Sequence, residues 1–181
     1  MGRYYCGDIE GKFWVGIQSS DDIEELVTIT PHTYYCWKVC GCTAEIDDDE
    51  YCKACYSSKE DHIENAIEDE EYDDESLYIE ECSQGYSLDK ETHYQELKEN
   101  MEKIKQKLPE EIVHMFEEIK QTDDILNAFT GVFDKPLSIL NNIEDDKQLK
   151  LLSILVARYT LGTQIEYCLR TKESCNVTCE Y

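Results

Sequence analysis

The chain has 181 residues, enough for one domain or one domain with a small appended module. Hydrophobic residues make up 41%, lean but sufficient for a core and too many for wholesale disorder. Acids outnumber bases 41 to 17, and the resulting net charge of −24 argues against direct nucleic-acid binding or attachment to anionic lipid, leaving basic proteins, cations or water as partners.

The start, MGRYYCGDIEGK, has no apolar core of a signal peptide, and no run approaches the length of a transmembrane helix. A cytoplasmic, non-secreted chain without a membrane partner is therefore expected. In that reducing setting its ten cysteines should serve as ligands or free thiols more often than as bridges.

Residues 1–35 read as a β-hairpin and a strand. RYYC and KFWVGIQ flank the turn GDIEG, DDIEEL is a short helix capped by Ser19 or Ser20, and TYYCWKV is a strand. A cysteine-rich insert covers 36–56. The acidic segment 57–88 opens with a helix capped at Ser58, with Ile63 and Ile67 as its thin apolar stripe. EDEEYDDE should then fray or loop, and SLYIEEC should form a short strand ended by SQG. Between Glu45 and Glu81 stand 17 acids and two lysines, so 15 of the 24 net negative charges fall in this stretch.

Residues 89–171 read as a helical bundle. Leu97, Met101, Ile104 and Leu108 share one helix face, and Pro109 stops that helix and opens another carrying Ile112, Val113, Phe116 and Ile119. TDDILNAFTGVF, capped by Thr122, and DKPLSILNNI are further short helical pieces. From Asp145 to Arg170 the chain is apolar on most sides around Leu151 to Leu161, which predicts the central, buried helix. The alternating stretch SCNVTCEY, within 172–181, should be a strand that pairs with the N-terminal hairpin. The expected architecture is α+β, a single domain over 1–181 with a small antiparallel sheet, a zinc-knuckle-like insert and a C-terminal helical bundle.

Five cysteines mark the insert: Cys36, Cys40, Cys42, Cys52 and Cys55. CKAC has the spacing that lets two thiolates grip one ion, and CGC supplies a second close pair around a permissive glycine. Two such pairs about ten residues apart suit a tetrahedral four-sulfur site, a structural zinc held by Cys40, Cys42, Cys52 and Cys55. The first pair is C-x-C in place of C-x2-C, so Cys36 is an alternative ligand, and His32 or His62 could complete the set. A redox pair would want CKAC opening a helix in a βαβ unit, which is missing, and an iron–sulfur cluster has no supporting spacing. The other cysteines, Cys6, Cys82, Cys168, Cys175 and Cys179, read as buried small hydrophobes or idle thiols. A second site from Cys6, Cys175 and Cys179 is conceivable if the terminal strands meet.

DDDE at Asp47 to Glu50 lacks the alternating ligands and central glycine of a calcium loop. The four histidines lie far apart, and no nucleophile elbow, phosphate loop or metalloprotease helix is present, so no catalytic residue is assigned.

The opening MGRYYCGDIEGKFWVGIQSS and the ending LGTQIEYCLRTKESCNVTCEY resemble the ends of small proteins, of no known activity, encoded by large DNA viruses of algae and protists. The resemblance implies a viral or host-cytoplasm setting and nothing catalytic. The expectation is a non-enzymatic, zinc-stabilised acidic protein that binds a protein partner. The alternatives are an acidic mimic of nucleic acid that occupies a host DNA- or RNA-binding protein, and an enzyme with an unrecognised site.

Overall fold

The computed structural model describes residues 4–9, 11–12, 22–44, 50–68, 77–121, 140 and 142–180. Their architecture is α+β, as the sequence predicts. The chain divides into two compact units, Met1–Pro31 with Tyr86–Cys179, and His32–Gly85 with Glu180–Tyr181. The cysteine insert and the acidic segment thus share the second unit with the strand that precedes them.

In the first unit, β1 (Tyr4–Gly7) pairs antiparallel with β2 (Gly11–Lys12) and, along its other edge, with β6 (Ser174–Glu180). Tyr5 lies opposite Cys179, Cys6 opposite Thr178 and Gly7 opposite Val177, so the closing strand falls where its alternation predicts. Gly7 has φ +110°, and a Cβ there would sit 2.5 Å from the Asn176 carbonyl oxygen, so only glycine can turn the chain here. Asp8 then pins the junction. Its carboxylate accepts from the Asn176 backbone N–H at 2.8 Å and pairs with the Lys172 ammonium at 2.9 Å.

The helices of this unit follow their apolar spacing. In α2 (Lys90–Lys105), Asp89 caps the start by accepting from the Thr92 N–H at 2.8 Å, and Leu97, Met101 and Ile104 are buried, with Leu108 buried just beyond. After Pro109, α3 (Glu110–Lys120) buries Ile112, Met115, Phe116 and Ile119, while Val113 stays half-buried. α4 (Asp146–Lys172) is the predicted central helix and is buried on most sides between Leu152 and Leu169. Gly162 lets it approach Met101 of α2, whose sulfur occupies the space a Cβ would need. Phe116 meets Tyr159 edge-on at 4.8 Å.

DDIEEL is not a helix but a turn: the N–H groups of Leu26 and Val27 both donate to the Ile23 carbonyl. Its apolar residues nevertheless enter the core, and the carboxylate of Asp22, 3% exposed, takes the Arg158 guanidinium at 2.7 Å. The burial of Ile23, Leu26 and Val27 and this ion pair hold the segment in place without helical repetition. The helical pieces expected after Thr122 and in DKPLSILNNI lie almost wholly outside the described residues.

The second unit contains β3 (His32–Trp37), β4 (Thr43–Ala44), α1 (Lys59–Glu68) and the first eight residues of β5 (Tyr78–Asp89). β3 pairs antiparallel with both strands, its register on β5 running from His32↔Gly85 to Trp37↔Tyr78 with an irregularity between Tyr34 and Cys36. SQG does not end β5, because Gly85 is a strand residue whose missing side chain admits the Tyr34 ring. The face of α1 also differs from its predicted stripe. His62 and Ala66 are fully buried, Ile63 is half-buried and Ile67 is 57% exposed. Trp37, Ala44, Cys52, Ala66 and Leu77 make a separate small core. EDEEYDDE, after Glu68, lies outside the described residues.

Candidate metal centre

The backbone brings the two cysteine pairs together by two tight reversals. β3 ends at Trp37, and Val39 and Gly41 both take φ 65°, turning the chain back so that the Trp37 N–H donates to the Cys42 carbonyl at 2.8 Å. The Gly41 N–H returns to the Trp37 carbonyl at 2.9 Å. This loop presents Cys40 and Cys42 on one side. In the second reversal, the N–H groups of Cys55 and Tyr56 donate to the Cys52 carbonyl at 3.2 and 3.0 Å, curling CKAC around its two sulfurs.

The four sulfurs of Cys40, Cys42, Cys52 and Cys55 all lie within 4.8 Å of one another, and Cys42 and Cys55 are 3.6 Å apart. Four thiolates each about 2.3 Å from a tetrahedral ion stand about 3.8 Å apart, so this donor set can hold a metal ion. Cys52 is buried, Cys40 and Cys42 are half-buried and Cys55 faces solvent. As thiols, the four compete for protons. Burial raises Cys52, but hydrogen bonds from Cys40 and from the Cys55 and Ala54 amides outweigh it and leave its thiol lowered. Burial raises Cys40, and the bonds to Cys42 and Cys52 push Cys55 up to about 12. Four thiolates this close repel one another unless a cation sits between them.

Cys36, the alternative ligand, is disulfide-bonded, lies on β3 opposite Thr43 and Ile79, and has no thiolate to offer. His32, at the exposed start of β3, is not part of the cluster. His62 is close but used otherwise. One ring nitrogen, Nε2, lies 3.0 Å from the Lys38 carbonyl, and the other accepts the Cys52 N–H at 3.4 Å. Since a carbonyl only accepts and an amide only donates, the ring carries its proton on Nε2. Tyr56 stacks on it at 4.1 Å and Trp37 meets it edge-on at 5.7 Å. One histidine thus ties the loop of Cys40 and Cys42 to the turn of Cys52 and Cys55. Sequence reasoning took this residue for a possible ligand because spacing along α1 says nothing about what its buried face meets.

Elsewhere, among the described residues, no second group of three or more potential ligands gathers. Cys168, Cys175 and Cys179 are buried and Cys6 half-buried, so the terminal strands do meet but do not assemble a second site. In the first unit, a cavity of about 580 Å³ is lined by Asp89, Lys90, Glu91 and Glu173. Its groups already serve the fold: Asp89 caps α2, and Lys90 pairs with Glu173 at 3.4 Å.

The chain matches no known protein family, no curated protein and no solved structure.

Proposed function

We propose that this protein is a non-enzymatic, zinc-stabilised acidic module that binds a protein partner with basic surface. The observation that carries the metal half is the convergence of Cys40, Cys42, Cys52 and Cys55. Sulfur-only donation at these separations favours zinc over hard cations, which prefer oxygen. Four sulfurs also leave no coordination position for water, so the ion would be structural and would hold a polar segment that cannot bury itself. The partner half rests on charge. The segment of greatest acidity surrounds the clamp, which would hold its carboxylates on an ordered loop and helix.

Elemental analysis of the reduced, purified chain tests the metal. About one zinc per chain is expected, and a Cys52→Ser, Cys55→Ser double variant should lose it together with the local fold. Absence of any metal would overturn this half. For the partner, affinity measured against salt separates two modes. A mimic of nucleic acid, viral or otherwise, should lose its hold steeply with ionic strength, whereas a packed apolar interface should persist.

A further inference from the structure

Two more thiols meet in the core of the first unit. Cys168 lies in the last turns of α4, Cys175 is the second residue of β6, and both are fully buried. Glu173, left-handed at φ 67°, reverses the chain between them and lays the strand back on the helix it left. The register of β1 and β6 brings Asp8 into the same place. Its N–H donates to the Asn176 carbonyl at 2.8 Å, and the Cys168 thiol donates to the Asp8 carbonyl at 3.5 Å. The Cys168 and Cys175 side chains are hydrogen-bonded to each other.

Buried cysteines commonly act as small apolar fillers. These two differ because a helix end, a strand and a left-handed turn hold the sulfurs of one against the other, and the proton they share is unevenly held. The bond from Cys175 lowers the Cys168 thiol, and the Lys172 ammonium adds to this, while the same bond and burial raise Cys175. Cys168 is therefore the nucleophile of the pair and Cys175 the resolving thiol.

We propose that Cys168 and Cys175 form a modification site, converted by an oxidant of the hydroperoxide class into a disulfide that ties β6 to α4. In the first step the Cys168 thiolate attacks one peroxide oxygen; an S–O bond forms, the O–O bond breaks, and the hydroxide leaving group takes up a proton as water. In the second, the Cys175 sulfur attacks the Cys168 sulfenic acid; the S–S bond forms, the S–O bond breaks, and hydroxide leaves with the Cys175 proton as a second water. Two thiols lose two electrons and one peroxide becomes two waters.

Peptide mapping tests this on the full chain, because Arg170 and Lys172 lie between the two cysteines and trypsin separates them. The reduced protein is exposed to hydrogen peroxide under native conditions, its remaining thiols are alkylated, and it is digested without reductant. Peptides 159–170 and 173–181 should appear joined and two hydrogens lighter than their sum, with fragmentation placing the bond at Cys175. Alkylation of Cys168 and of Cys175 should disappear together. The joined species should persist in Cys179→Ser and vanish in Cys175→Ser. Cys168 that stays alkylatable in the oxidised wild-type chain, or a bond that runs to Cys179, overturns the proposal, and so does a bond that forms only in urea. The wild-type readout does not depend on either variant folding.

Discussion

Removing the ring of His62 would strand the Lys38 carbonyl and the Cys52 amide inside the small core and leave a void beside Tyr56 and Trp37. His62→Ala should cost about 3 kcal/mol in a urea titration of the metal-bound protein and weaken metal retention in a chelator competition. Ile67→Ala, at an exposed position on the same helix, should stay within about 0.5 kcal/mol. The opposite ranking would restore the apolar stripe predicted from spacing. That stripe misled because a histidine with both nitrogens satisfied is as buriable as an isoleucine, and its partners come from residues 24 and 10 positions away. The ligand set, by contrast, was legible, since short cysteine spacings are local chemistry. At Asp8, the Asn176 amide and then the Lys172 ammonium hold the carboxyl below the usual carboxylate range. A lowered folded-state value means the stabilisation is complete above the unfolded-state range, about pH 4, and is lost as pH falls through the folded-state value. Asp8→Asn should flatten that acid limb in unfolding curves measured between pH 5 and 2.

Among the elements, α2 and α4 rest on a contact that substitution can probe in both directions. Gly162→Ala would gain about 1 kcal/mol of helix propensity but drive a methyl into the Met101 sulfur, an overpacking cost of about 1 to 3 kcal/mol. Net destabilisation is expected, and in a Met101→Ala background the same change should become neutral or stabilising because the methyl enters vacated space. A double-mutant cycle by chemical denaturation reads this coupling, and additive effects would refute the contact. Elements were legible where one period ran long enough: Leu97 to Leu108 as one face, the mostly apolar α4, the alternating β6. They were not where tertiary contact overrides local signal. SQG looks like a strand stop, yet Gly85 continues β5 because the Tyr34 ring needs its space; DDIEEL looks like a capped helix, yet a single turn suffices once Arg158 and the core hold it.

Over the whole chain, metal and charge act on different residues. Chelation should abolish amide protection across the described part of His32–Gly85 while α4 of the first unit stays protected, read by hydrogen exchange with and without a competing chelator. Uniform loss along the chain, or none, would contradict a clamp that serves one unit. With a net charge of −24, self-repulsion should make added salt stabilising until it is screened, so the thermal midpoint should rise between low and physiological ionic strength. The pairing of β1 with β6 has a further consequence during biosynthesis. Asp8 finds its partner Asn176 across a separation of 168 residues. A ribosome therefore releases β1 long before the strand that will cover it exists, and the unfinished edge, with Tyr5 beside it, must wait exposed in the nascent chain. Speed of translation through α4, rather than the strength of any contact, sets how long that edge is open to a chaperone or to another copy of itself.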